Sequence, residues 1–324
     1  PTGRAFTVRV RSGRLETTAK STVGVRGSGA AARFAADGRL AARVVGNVLV
    51  SETAPATPAA SCGSGEESGV GAGVGSDVAG RGPNPGVSVP VDLDDDPATR
   101  TSSCADLGLP AGGQVLWAGL YWSGGGRRAV PAQDIRVRAP GMPGYVTVHA
   151  AEVTRRDLPS GSGYQAFADV TSLVRTAGEG RWWVAGAPVR PGTVRHAAWG
   201  LVVMATDERQ PYTRAVVLDA AAVVGSEGKA LRLPLDGLAQ GGAPARIDLM
   251  VWNGEGVTAG VVTAGDGEHA EGSDQTGVLD GSDSGGVAVD TLHALLGPHP
   301  ALQLATRRDP VFFGVAVVSA RTWS

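Results

Sequence analysis

The chain has 324 residues, 42% of them hydrophobic and 19% charged, with 29 basic against 31 acidic side chains and a formal net charge of −2. That length allows one large or two ordinary domains with a substantial core, and the near-neutral balance gives no electrostatic reason to expect a nucleic-acid partner, since such binders carry a concentrated basic face. No run approaches the roughly 20 apolar residues that span a bilayer, so no membrane span is expected.

The chain opens at Pro1 with neither Met nor a basic-then-apolar leader, so either a signal peptide has been removed or the start is an artificial boundary. Strands are predicted first at 6–11 and 15–26, within "AFTVRVRSGRLETTAKSTVGVR", where Phe6, Val8 and Val10 alternate with Thr7, Arg9 and Arg11. Such a strip has one apolar side to bury, against its own domain or against the next copy. Strands at 31–36 and 39–51 flank Asp37-Gly38, which reads as a two-residue hairpin turn. Residues 1–40 are set apart as an N-terminal extension and 41–324 as the main domain.

A Gly-, Pro-, Ser- and Ala-rich loop is expected over 53–86, followed by strands at 87–93, 114–122, 133–138 and 145–154. A short helix is placed around 167–177, with Asp169 or Thr171 as its cap. Strands follow at 181–187, 196–206, 213–224, 229–235 and 245–253, then a second long loop over 254–289. A helix at 290–297, opened by Asp290 and closed by Gly297, precedes strands at 301–306 and 311–322. Short apolar runs between Gly, Pro, Asn and Asp punctuation predict an all-β fold: a large antiparallel β-sandwich, jelly-roll-like, with long loops and one or two short helices.

Residues 115–122, "VLWAGLYW", are apolar on both strand faces. A strand with one wet face alternates apolar with polar, so this one is covered twice, by its own chain or by a neighbour. Trp117 and Tyr121 therefore join Phe6, Val8 and Val10 as candidate assembly residues.

Cys62 and Cys104 stand in loop-like surroundings without the close paired spacing of zinc sites, which favours a disulfide over two unrelated thiols. "DSGG" at 283–286 matches the string around a serine-protease nucleophile. His149, His196 and His269 precede Ser284, but none has the sequence context of a triad histidine, so no enzyme is expected. "GSEGKA" at 225–230 has the wrong spacing for a phosphate loop. In "DLDDDP", the carboxylates of Asp92, Asp94, Asp95 and Asp96 form a candidate calcium site, the alternative being a solvated acidic turn. Trp182 and Trp183 are adjacent and face opposite ways, so one can be core while the other serves as a glycan-binding surface.

Residues 89–124, "VPVDLDDDPATRTSSCADLGLPAGGQVLWAGLYWSG", resemble an extracellular domain of unknown function in actinobacterial surface proteins, often placed ahead of Ig-like, fimbrial-adhesin-like repeats. The resemblance continues in "YQAFADVTSLV" (164–174), "AAWGLVVMATDERQPYTRAVVLDAAAVV" (197–224) and "IDLMVWNGEG" (247–256), and spans roughly residues 40 to 322. It implies secretion, a β-rich fold and a surface role. Cys104 interrupts the serine run usual before "LPAG", which strengthens its pairing with Cys62. With no repeats before Ser324, joining through C-terminal modules is not expected.

The leading expectation is a secreted cell-surface structural or adhesive subunit that assembles with copies of itself, as a filament built by donation of residues 5–26. Lys20 adds the option of an isopeptide bond to Asn47, Asn84 or Asn253. The alternative is an extracellular carbohydrate-binding module, with calcium as its one candidate cofactor.

Overall fold

The computed structural model describes residues 4–12, 15–23, 30–51, 62–64, 89–127, 129–158, 161–190, 194–225, 230–235, 237–238, 242–252, 255–263, 275–280, 287–297, 300–306 and 310–322. The strands in chain order begin with β1 (Arg4–Ser12), β2 (Leu15–Val23), β3 (Ala31–Val48), β4 (Val50–Ser51), β5 (Gly63–Ser64), β6 (Val89–Pro90) and β7 (Ser102–Leu107). Next come β8 (Val115–Gly126), β9 (Asp134–Arg138), β10 (Val146–His149), β11 (Glu152–Leu158) and β12 (Gly161–Asp169). After helix α1 (Thr171–Ala177) lie β13 (Gly180–Ala185), β14 (Val194–Thr206), β15 (Tyr212–Val224), β16 (Leu231–Pro234) and β17 (Ala243–Trp252). The last are β18 (Glu255–Thr263), β19 (Gln275–Asp280), β20 (Val287–Leu296), β21 (Pro300–Thr306) and β22 (Val311–Arg321).

The centre is a nine-stranded array ordered β11-β12-β8-β14-β3-β15-β22-β17-β20. It consists of two halves that share β3: residues 40–48 pair with β14, and residues 31–39 pair with β15. The chain passes from β14 to β15 beside Arg39, whose carbonyl accepts from Asp207 N (2.8 Å) while its Nη1 donates to Gln210 O (2.8 Å). The predicted hairpin at Asp37-Gly38 is thus corrected. Both residues are rungs of one 18-residue strand, and Asp37 takes Arg214 Nε of β15 at 2.7 Å across the ladder. The boundary drawn at residue 40 accordingly falls inside β3.

Three apolar layers hold the sheets together, an all-β sandwich as the sequence implies. In the middle, Trp117, Tyr121 and Phe167 of the first half meet Met250, Trp252 and Phe312 of the second. Contact is close enough that a Cβ on Gly200 would collide with Met250 Sδ. Outside the first half, Leu120, Trp122 and Leu201 pack against Ile135, Val137, Trp182 and Val184 of the five-stranded sheet β10-β9-β13-β7-β5. Outside the second, Ile247, Leu249 and Val318 pack against Leu233, Leu302 and Leu304 of the four-stranded sheet β16-β21-β18-β19.

Both faces of "VLWAGLYW" are therefore covered by the chain itself. Trp117 and Tyr121, 7% and 0% exposed, are middle-layer core rather than assembly surface, which corrects that expectation. A register shift against β14 between Met204 and Ala205 turns Val115 into the same outer layer as Ala118, Leu120 and Trp122.

Four further expectations change. The helix at 290–297 is part of strand β20: Leu292, Ala294 and Leu296 are buried and His293 and Leu295 exposed, a period of two, and all pair with β17. The loop over 254–289 contains β18, β19 and the start of β20. The strand at 145–154 is two strands, β10 and β11, in different sheets. The helix near 167–177 starts only at Thr171, because residues up to Asp169 pair with β8. Asp169 Oδ1 accepts from Thr171 N at 2.9 Å, and the helix ends where Gly178 N donates to Val174 O.

Candidate functional site

Cys104 is buried in β7, not in a loop, and is disulfide-bonded to Cys62 with the Cα atoms 5.0 Å apart. The bond sets β5 parallel to β7, Gly63 opposite Ala105. Asn47 fastens the same spot, donating from Nδ2 to Cys104 O (2.9 Å) and accepting from Val48 N (2.7 Å). Its amide thus holds β3 to β7. Lys20 lies opposite Thr7 in the β1–β2 ribbon, while Asn84 and Asn253 lie outside the described residues.

The acidic turn is knitted by its own hydrogen bonds. Asp92 Oδ1 accepts from Ser102 Oγ (2.8 Å), and Ser102 Oγ in turn accepts from Leu93 N and Asp94 N. Asp94 accepts from Thr99 Oγ1 (2.8 Å), Asp96 N (3.1 Å) and the Tyr145 hydroxyl; Asp96 accepts from Ala98 N (2.9 Å); Asp95 is exposed. Burial first, then the Asp94 carboxylate, pushes the Tyr145 hydroxyl well above the ordinary tyrosine range, so it stays a donor. Among the described residues no three His, Cys, Asp or Glu side chains are grouped to hold a metal ion.

Trp182 is core, 2% exposed. Trp183 points the other way and is half-buried against Val48, Val91 and Leu93, with the Arg138 guanidinium 4.8 Å from its ring and 5.0 Å from that of Tyr145. The expected opposition of the two tryptophans holds, but the outer ring is already under an arginine.

The buried pair Ser123 and His196 was not anticipated. Ser123 Oγ donates to Tyr164 O (2.8 Å), so His196 Nε2, 3.1 Å away, must be the donor to Oγ. A general base would have to accept that proton, and complete burial lowers the His196 pKa to about 4. His149 is exposed beside Asp134 (2.6 Å). His269 and the DSGG residues, Ser284 among them, lie outside the described residues, as do residues 226–229 of GSEGKA and most of the loop over 53–86.

A second feature missed from sequence is an ionic cluster at the seam between the halves. Arg33 of β3 donates Nε to Asp219 Oδ2 (2.8 Å) and Nη2 to Glu152 Oε2 (2.6 Å). Asp219, 1% exposed, also accepts from Gln165 Nε2 (2.7 Å), whose Oε1 accepts from Trp252 Nε1 (2.6 Å). The guanidinium lies 4.3 Å from the Phe167 ring centre. Burial opposes its charge, yet Asp219 and Glu152 raise its pKa above the ordinary value, so it remains a cation. Asp219 reaches Arg33 from a bulge in β15, where Ala221 takes a φ of 43°, an uncommon left-handed conformation for a residue with a Cβ.

The N-terminal strands form a ribbon of their own: β1 and β2 pair antiparallel, Phe6 opposite Ser21, Val8 opposite Ala19 and Val10 opposite Thr17. They pair with no other strand among the described residues. Among the sheet edges, β11 is guarded by Arg155 and Asp157, both exposed, whereas β20 presents exposed Leu295 and His293.

No protein-family model matches the chain, and no curated protein matches it.

Proposed function

We propose that the chain is a secreted structural or adhesive subunit of the cell surface that assembles with copies of itself through its N-terminal ribbon. The observation that carries this reading is that β1 and β2 pair with each other and, among the described residues, with no other strand. A lone two-stranded ribbon is marginal in water at best, whereas its nine-residue strands have the main-chain donors and acceptors to extend a sheet edge of another copy. Repeated head to tail, such a contact does not close and gives a fibre. The disulfide is consistent with an oxidising compartment outside the cell, and no described helix is long and apolar enough to cross a membrane. Glycan binding through Trp182 and Trp183 has less support, since one ring is core and the other is stacked under Arg138.

Sedimentation velocity of the full chain and of a chain lacking residues 1–26 tests the proposal. The full chain should sediment as species that grow with concentration, and the shortened chain as a folded monomer with an unchanged near-ultraviolet circular dichroism spectrum. Assembly undiminished by the deletion would overturn it.

A further inference from the structure

Between β3, the 207–211 connection and the ends of β17, β20 and β22 lies a pocket of about 380 Å³. Its charged lining is of one sign: Arg43, Arg246 and Arg321, with His293 beside them and no Asp or Glu. Arg246 is committed to Asp248 (2.9 Å) and reaches Thr291. Arg43 donates only to the carbonyl of its neighbour Ala42 (2.9 Å), and neither Arg43 nor Arg321 has a carboxylate partner among the described residues. The remaining wall combines apolar residues, Pro211 and Leu295 among them, the latter 57% exposed, with the polar side chains Gln210, Thr213 and Ser319.

We propose that this pocket is a binding site for a small organic oxyanion, a carboxylate or phosphate carried on an apolar body. Two guanidinium groups with no carboxylate partner among the described residues sit beside apolar surface. A guanidinium presents a planar fork of donors that matches both oxyanions, and a ligand that brings charge and apolar area together satisfies both parts of the wall. The volume lies at the small end of the roughly 300–1,000 Å³ range of small-molecule sites, which favours a single-ring ligand over a polymer. None of the lining residues belongs to the N-terminal ribbon, and two of them, His293 and Leu295, also lie on the exposed β20 edge.

Isothermal titration calorimetry with four probes tests this. Phenylacetate and phenyl phosphate should each bind saturably at one site, and the tighter of the two identifies the oxyanion preferred. Benzyl alcohol, which lacks the charge, and inorganic phosphate, which lacks the body, should bind at least about tenfold more weakly. Replacing both Arg43→Gln and Arg321→Gln should weaken both organic anions by at least about tenfold, the loss expected when charge-assisted hydrogen bonds are removed. Leu295→Asp, at an exposed position where folding is not at stake, should do the same. No saturable binding of either organic anion, benzyl alcohol bound as tightly as phenylacetate, or undiminished binding by the Leu295→Asp chain would overturn the proposal.

Discussion

Replacing Arg33 by Met tests the seam between the two halves most sharply. Methionine keeps the length and apolar stem that pack beside Phe167 but takes the Arg33 cation away from Asp219, whose carboxylate is 1% exposed and also accepts from Gln165. Removing one partner of a buried ion pair costs about 3–5 kcal/mol. With an unfolding entropy of roughly 2.1 cal/mol/K per residue, the whole chain loses about 0.7 kcal/mol of stability per degree near its midpoint, so Tm should fall by about 4–7 °C. Adding Asp219→Asn removes the stranded charge and should restore a large part of the loss, giving a coupling energy of at least about 1.5 kcal/mol in a double-mutant cycle. Urea unfolding followed by tryptophan fluorescence reads all four proteins. An Arg33→Met chain within about 0.5 kcal/mol of the parent, the range of a surface pair, would refute the reasoning.

The disulfide closes a separation of 42 residues, so Cys62→Ser with Cys104→Ser should cost about 4 kcal/mol on the chain-entropy account; equal urea midpoints for the variant and the oxidised parent would remove the staple. His196 has a folded pKa of about 4 against an ordinary value of 6.5. Its stabilisation is therefore complete above pH 6.5 and is lost as the pH falls towards 4, by up to about 3 kcal/mol as the unfolded chain takes up the proton. His196→Gln should flatten the stability profile in that window, and a profile parallel to the parent's would contradict the assignment. For the acidic turn, melting in calcium and in chelator should coincide, because Asp92, Asp94 and Asp96 already accept hydrogen bonds from the turn itself; a rise in Tm with calcium would make it an ion site.

The strands that alternate or run apolar between turn residues were legible, β14, β15, β17 and β22 within two residues of their ends. What misled was local chemistry overruled by partners. Asp37-Gly38 has turn composition, but β15 runs past both residues and supplies Arg214 to the aspartate. Leu292, Leu295 and Leu296 have helical spacing, yet only Leu292 and Leu296 are buried, in register with β17. Glycines hid the end of β8, where Gly124 and Gly125 are buried in the strand because Tyr164 and His196 lie against their backbone. The disulfide could be read from two cysteines without zinc spacing. The seam cluster had a signal that was there to be used: Arg33 in "AARFAA" and Asp219 in "VVLDAAAVV" are lone charges in apolar strands, and a charge in such a setting requires a buried partner. Which strand brings that partner is a matter of sheet order, which no local pattern encodes.

Self-assembly through the N-terminal ribbon is the central claim, and electron microscopy of the intact, oxidised protein tests it most directly. Ordered filaments from the full chain, absent from the same preparation lacking residues 1–26, are the predicted result. Dispersed particles of single-chain size from the full chain, at concentrations up to the solubility limit, would contradict it.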